Sequence, residues 1–518
     1  MNILLLYPKF PATFWSFQHA LRFIDKKAAN PPLGLVTVAA MLPETWNARL
    51  IDLNVEPVSD DQIVWADLVL VSAMTVQRKS VNEIIQLCHK LETPIAAGGP
   101  LFSCEPDEFP EVDYLILNEG EITFKEFLAD FASGHAKRVY DTQVYPEMSI
   151  SPIPRFELLN MDAYDTLSVQ FSRGCPYHCD FCNVTALFGH KPRLKSTRQF
   201  ISELDALYKA GWRRKIFIVD DNFIGNKRLL KEEVLPALIE WRRDKVGFQF
   251  ITEASINLAD DDELIDLMVQ AGFNSIFISI ETPSAEGLDE CHKTQNTRRD
   301  LLRNVHKLQE AGLQVMAGFI VGFDSDTEDI FQRQYDFIQE SGIVTAMVGL
   351  LQAPAGTELY ARLKAEGRIR EGFSGDNGDG ETNIIPKMDS SILRKGYVDL
   401  VRQLFEPASV YQRIDTLLQH HHPQKAPVRL TWTEMKAFFR TMIWIGVQSD
   451  ARWYYWRLFI KIVFTHPARL PLAITMTVYA YHFNKMSREH VRLTEALPEK
   501  PHRPIMGRKY SYEPTHVK

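Results

Sequence analysis

The chain has 518 residues, with 58 Lys/Arg against 66 Asp/Glu, a net charge of −8 and 45% apolar composition. That length points to about three domains of roughly 150 residues each, and the apolar share is enough for real cores. The net negative charge excludes a general nucleic-acid binder. Six cysteines, with no signal peptide at Met1-Asn2-Ile3-Leu4-Leu5, exclude a secreted disulfide scaffold and give the cytoplasm as the expected location.

Residues 1–134 read as an α/β domain. Ile3–Tyr7, Arg49–Leu53, Leu68–Ala73, Pro94–Ala97 and Tyr114–Asn118 are short apolar runs of the buried parallel-strand type, separated by segments with helical periodicity. Five such strands predict a flavodoxin-like (Rossmann-type) sheet, whose ligands sit beyond the carboxyl ends of the strands. The turns at those ends are Tyr7-Pro8, Ser72-Ala73-Met74-Thr75, Gly98-Gly99-Pro100 and Glu119-Gly120-Glu121. Residues 135–160, with prolines at 146, 152 and 154, predict an extended linker.

Residues 161–370 carry a repeat. Ala210-Gly211-Trp212, Ala271-Gly272-Phe273, Ala311-Gly312-Leu313 and Ser341-Gly342-Ile343 each close an amphipathic helix and precede an apolar run, so they predict four αβ joints capped by glycine. Six strands follow: Leu167–Phe171, Ile216–Val219, Phe248–Thr252, Ser275–Ile280, Met316–Val321 and Ala346–Leu351. This is a partial (β/α)6 barrel. Active sites of barrels gather at the carboxyl ends of the strands, which places Cys175, Asp220-Asp221-Asn222, Glu253, Glu281 and Gln352 at one mouth.

The run Cys175-Pro-Tyr-His-Cys179-Asp-Phe-Cys182 spaces three thiols four and three residues apart, with no fourth cysteine nearby. Three thiolates can hold an iron–sulfur cluster and leave one iron open to a ligand, whereas four would close it. Zinc usually takes four ligands, and this spacing fits zinc ribbons poorly.

Residues 371–518 open on the turn-rich Glu371-Gly372-Phe373 to Gly380 and look helical from Lys387 onward. Within them, residues 428–518 hold fifteen Lys/Arg against six Asp/Glu, or +9, leaving −17 on the rest of the chain. The basic part is rich in aromatics around Trp432, Phe438, Phe439, Trp444, Trp453–Trp456 and Phe459. Such helices suit packing on a barrel or settling on a membrane surface. Leu470–Phe483, the longest uncharged run, is short of the ~20 residues that span a bilayer.

Arg173-Gly174-Cys175-Pro176 with Cys179 and Cys182 resembles the signature loop of the radical S-adenosylmethionine (SAM) enzymes. The order of the first domain's turns, with Pro31-Pro32-Leu33-Gly34-Leu35, resembles the cobalamin-binding domain that precedes many of them, but no Asp-x-His-x-x-Gly is present for ligation from below. Along its length the chain is similar to the cobalamin (B12) radical SAM group that includes hopanoid C-2 methylases, as in Pro8-Lys9-Phe10-Pro11 to Trp15 and Asp220 to Arg228.

The resemblance implies a [4Fe–4S] cluster on Cys175, Cys179 and Cys182. It implies SAM at Phe181, Asp220, Asp221, Asn222, Glu253, Glu281, Gly318, Ile320 and Gly322. It implies cobalamin at Tyr7, Pro8, Ser72, Met74, Thr75, Gly98, Gly99, Pro100, Glu119 and Gly120. The implied activity is radical methylation of an unactivated carbon, on a hopanoid or other hydrophobic substrate. A peptide or protein substrate and a cobalamin-dependent rearrangement or ring contraction are the alternatives. The implied partners are a flavodoxin- or ferredoxin-type electron donor and, through the C-terminal region, the inner face of the membrane.

Overall fold

The computed structural model describes residues 1–370, 372–423 and 432–496. Glu371 and the segments 424–431 and 497–518, parts of the expected helical C-terminal region, lie outside the described residues.

The first sheet is wholly parallel, in the order β2-β1-β3-β4-β5-β6. Its strands are β1 (Asn2–Tyr7), β2 (Asn47–Asp52), β3 (Leu68–Ser72), β4 (Ile95–Gly98), β5 (Tyr114–Ile116) and β6 (Val139–Tyr140). Alternate residues of β1 feed two separate cores: Leu4 and Leu6 one, Ile3 and Leu5 the other. All four are fully buried, as expected of a sheet covered on both faces. The sixth strand corrects the expectation of five. Val139–Tyr140 pairs with Leu115–Ile116 inside the stretch read as linker, and Tyr140 is anchored by its hydroxyl to Asp130 at 2.8 Å. Two residues are too few to show a period in the sequence.

The second parallel sheet runs β14-β13-β12-β11-β10-β7, an open arc rather than a closed ring. It comprises β7 (Leu167–Val169), β10 (Lys215–Ile218), β11 (Gln249–Glu253), β12 (Phe273–Glu281), β13 (Gln314–Val321) and β14 (Ala346–Leu350). A small antiparallel ladder, β8 (Ser172–Arg173) with β9 (Arg193–Leu194), flanks the cysteine loop. The four glycine joints all take positive φ, 68–96°, so the predicted caps are the helix ends of the repeat.

Burial alternates along this second sheet. Ile216, Ile218, Phe250, Ile276, Ile278, Ala317 and Phe319 point to the helices and are fully buried. Their neighbours Phe217, Ile251, Glu253, Phe277, Ser279, Met316 and Ile320 point into the lumen and are only half-buried. The lumen is therefore open and mainly apolar.

Two segments close it from the far end and the side. Trp15, in the loop after β1, packs edge-on to Phe277 at 5.4 Å and directs its indole N–H at the Met347 sulfur. Behind it the last helix, Leu470–Ala496, stacks Phe483 on Phe14 at 4.2 Å. The glycine-rich turn 372–380 lies against the Thr75 turn and β14, held by Gln352, whose side-chain amide donates to the carbonyls of Asp376 and Glu381.

The remaining helices of the C-terminal region are Ser390–Leu404, Pro407–His420, Trp432–Trp444 and Arg452–Thr465. The uncharged run from Leu470 turns out to be core: Ala473, Met476, Ala480 and Phe483 are buried. Among the described residues no helix is long and apolar enough to cross a membrane.

Candidate active site at the mouth of the open barrel

The cysteine loop leaves β8 through Gly174, whose φ of +89° and close backbone neighbours at Phe188, Gly189 and Lys191 exclude a side chain. Asp220 and Asp221, at the end of β10, pin that exit. Asp220 accepts from the Phe171 amide at 2.8 Å and the Ser172 hydroxyl at 2.6 Å, and Asp221 accepts from the Gly174 amide at 2.9 Å. Burial raises both carboxyls, Asp220 to about 7, although these bonds favour the ionised form. Asn222 accepts from the Ser255 amide at 3.2 Å. Of the Asp-Asp-Asn run expected to meet SAM, Asp220 and Asp221 thus fix the loop while Asn222 ties down the segment after β11, and Asp220 is 1% exposed.

Cys175, Cys179 and Cys182 come together at the mouth: burial raises all three thiols, Cys179 adds to the rise at Cys175, and Cys179 and Cys175 add to that of Cys182, which reaches about 12. Such thiols lose their protons only to a metal centre that takes the thiolates. Three cysteine thiols in one short loop suit a cluster with one open corner. Phe181 packs against the neighbouring cluster of Phe323, Leu351 and Tyr360.

Glu281 ends β12 at a register shift, in a left-handed conformation of φ 67° that a non-glycine residue rarely adopts. The strain is held on both sides. Asn296 donates to the carbonyls of Ser279 and Ile280, and Gln334 donates to those of Glu281 and Ile320. The Glu281 carboxylate accepts from Lys293 at 2.6 Å, both groups being buried. Burial opposes the Lys293 charge, but Glu281 and Cys179 outweigh it and its pKa rises. Gln295 directs its amide N–H at the Cys179 sulfur, 3.7 Å away, and its carbonyl oxygen has no partner.

Sequence reasoning missed Lys293, Gln295 and Asn296, because they follow a short helix, Ala285–Glu290, and match no spacing rule. The Glu253 carboxylate, at the end of β11, has no hydrogen-bond partner among the described residues. Burial first, then Asp221 and Asp220, push its carboxyl up to about 8. Gly318 lies against Phe277 and Met347, where any side chain would fill the lumen. Gly322 donates its amide to Asp326 at 2.8 Å.

On the first sheet, the Ser72 hydroxyl has no hydrogen-bond partner among the described residues and faces Gly99, where a Cβ would come within 2.7 Å of it. Gly98 and Pro100 complete that turn. The Pro8 carbonyl accepts from Gln77 at 2.6 Å, the neighbouring Tyr7 phenol is raised by burial, and Met74 is 51% exposed. A bare, glycine-lined strand end with a free hydroxyl suits close approach of a large ligand. Glu119 differs: it is 3% exposed and turned away from that edge to pair with Arg173 and Arg193. Gly120 starts the helix behind it. Between this edge and the cysteine loop lies a small open cleft of about 120 Å³, lined by Ser103, Asn118, Asn183, Leu187 and Tyr360.

Comparison with known proteins agrees with this geometry. The B12 binding domain profile matches residues 27–128 and the radical SAM superfamily profile residues 169–338, while residues 357–496 match a domain of unknown function, DUF4070. An uncharacterized methyltransferase of Synechocystis sp. is 41% identical, covering 95% of this chain and 93% of that protein. The hopanoid C-2 methylase of Rhodopseudomonas palustris is 33% identical, covering 95% and 94%. The chain belongs to the cobalamin-dependent radical SAM methyltransferases. Its cofactors are a [4Fe–4S] cluster, SAM and cobalamin.

Two solved structures share the fold. The cobalamin-dependent SAM radical enzyme OxsB with aqua-cobalamin has a TM-score of 0.59 at 15% identity, covering 96% of this chain and 80% of that one. The radical SAM methyltransferase TsrM from Kitasatospora setae, with cobalamin and a [4Fe–4S] cluster, has 0.58 at 14%, covering 92% and 98%.

Proposed function

We propose that this enzyme methylates an unactivated carbon of a polycyclic lipid of the hopanoid class, held in the barrel lumen. The observation that carries the reading is the half-buried apolar inner face formed by Phe217, Ile251, Phe277, Met316 and Ile320, with Trp15 at its far end. A rigid hydrocarbon would bury those side chains at about 25 cal/mol per Å² without needing a polar partner. The 33% identity to a hopanoid C-2 methylase supports the same substrate class.

In this reading Cys175, Cys179 and Cys182 hold the cluster. Glu253, Glu281 and the edge of β13 at Gly318, Ile320 and Gly322 surround SAM beside Phe181. Cobalamin rests on Tyr7-Pro8, Ser72, Met74, Thr75 and Gly98 to Pro100. The cofactors supply hydrogen abstraction and the methyl group when bound. The chain positions the target carbon and excludes water. A flavodoxin- or ferredoxin-type donor provides the electron.

Delivery of the substrate takes place at an anionic membrane surface. Trp432, Met435, Phe439 and Ile443 form an exposed stripe along one helix, and Trp453, Ile460 and Phe464 along the next, with Trp453 at 76% and Phe464 at 83% exposure. Lys436, Arg452 and Arg457 beside them are exposed. Two expected contact residues are otherwise engaged: Trp456 donates to the Gly446 carbonyl, and Lys461 pairs with Asp415. Phe459 packs against Tyr455 and Phe438.

The test is anaerobic reconstitution with all three cofactors, followed by incubation with hopanoid in anionic vesicles and mass spectrometry of the lipid. A mass gain of one methyl group is expected. Unchanged lipid, together with a peptide or small metabolite that loses its methyl group when the gene is deleted, would overturn the substrate.

A further inference from the structure

The geometry points to Glu119, Glu121, Arg173 and Arg193 as positioning residues that set the separation between the cobalamin-bearing sheet and the cysteine loop. The inference rests on the site assignments proposed above. It needs no assumption about the substrate.

The four side chains form one buried network across the two sheets. Glu119 and Glu121 follow β5 and are 3% and 9% exposed. Arg173 and Arg193 face each other across the β8–β9 ladder. Arg173 binds Glu121 through two bonds, Nη2 to Oε1 at 2.8 Å and Nη1 to Oε2 at 3.0 Å, and reaches Glu119 at 2.8 Å. Arg193 pairs with the other side of Glu119 and also donates to the Pro146 carbonyl at 2.5 Å. Burial opposes the Glu121 charge, but Arg173 outweighs it and holds the carboxyl below its ordinary range.

Two cations against two carboxylates leave no net charge, and forked arginine–carboxylate pairs fix direction as well as distance. Such networks add little net stability over an apolar contact of the same volume, but they specify one arrangement. Here the arrangement matters chemically. Arg173 stands two residues before Cys175, and Glu119 stands at the end of the sheet whose other turns carry the open glycine edge. A methyl donor on one sheet and a radical generator on the other must reach the same carbon. A misplacement of about 1 Å costs on the order of 100-fold in rate.

The experiment compares Glu121→Gln, Glu121→Asp and the double variant Glu121→Met/Arg173→Met in the reconstituted full-length enzyme. Pulsed electron paramagnetic resonance, without substrate, reads the distance distribution between cob(II)alamin and the reduced cluster. We expect iron and cobalamin content to stay at the level of the unaltered enzyme. Glu121→Gln and the double variant should broaden the distribution, and Glu121→Asp should restore most of its sharpness. With a competent substrate, methylated product per 5′-deoxyadenosine should fall roughly 10- to 100-fold while SAM cleavage continues. A double variant that is folded and loaded with both cofactors yet keeps the original distribution overturns the inference. Loss of the cluster in every variant also overturns it, because the network would then serve only the loop.

Discussion

The two parallel sheets are built from similar residues and are buried differently. In the first, neighbouring Leu4 and Leu5 go to opposite faces, and both are fully buried. In the second, neighbouring Phe277 and Ile278 also go to opposite faces, but only Ile278 is fully buried. The first sheet is covered by helices on both sides and leaves only its rim open. The second is covered on one side and leaves its inner face open as well as its mouth. The cysteines follow the same division. Cys88 lies in a core of the first sheet, whereas Cys175, Cys179 and Cys182 converge at the mouth of the second.

The largest effect should come from the cysteines. Cys179→Ala should abolish cluster assembly and SAM cleavage, while Cys88→Ala should leave both intact and cost only packing energy. Iron content and 5′-deoxyadenosine formation measure the contrast, and a Cys179 variant that keeps both would break it. Next in size are the core truncations. Leu4→Ala and Leu5→Ala should each cost about 2–5 kcal/mol, and Phe319→Ala on the outer face of the barrel about 3–5 kcal/mol. Phe277→Ala should cost less than half of that, because its ring is already partly exposed, and should act instead on substrate affinity. Denaturant unfolding of the four variants tests whether the inner face is as open as its burial indicates.

Glu253 sharpens the same point through pH. Its carboxyl is raised from 4.5 to about 8 in the folded chain, so folding takes up a proton between those values. Stability should then fall as pH rises from about 4.5 to 8 and level off above. In Glu253→Gln that part of the slope should disappear, leaving the shares from Asp220, raised to about 7, and from Asp180, Asp326 and Asp379, each raised to about 6. The smallest effect expected is at Gln295. Removing its N–H from the Cys179 sulfur in Gln295→Leu should lower the cluster's midpoint potential. A hydrogen bond that favours the reduced cluster by about 1 kcal/mol corresponds to roughly 40 mV for one electron. An unchanged redox titration would remove Gln295 from the cluster's surroundings.

Much of this was legible because it repeats. Strands of four or more buried residues, glycine joints that recur after amphipathic helices and three cysteines in a fixed frame all leave a period or a motif in the chain. Val139–Tyr140 leaves none, so the sixth strand of the first sheet was read as linker. The partners of Asp220 and Glu119 were hidden for a shared reason: a carboxylate at the end of a strand looks the same in sequence whether it meets a ligand or an amide or guanidinium from a distant segment. Arg193 and Lys293 meet their partners only after folding. The exposed stripe on the C-terminal helices was visible as composition, but which aromatics face outward depended on packing against Phe438 and Tyr455.

The stacking of Phe14 on Phe483, with His482 bonded to the Phe14 carbonyl across 468 residues, has a consequence for synthesis. A ribosome delivers the first residues of this contact long before the last. Until Leu470–Ala496 emerges, Trp15 and its neighbours have nothing behind them, and the barrel remains a trough open at its base. The base of the barrel is therefore sealed late, and a nascent chain with both sheets formed already has its cysteine loop and glycine edge in place while the lumen has no floor.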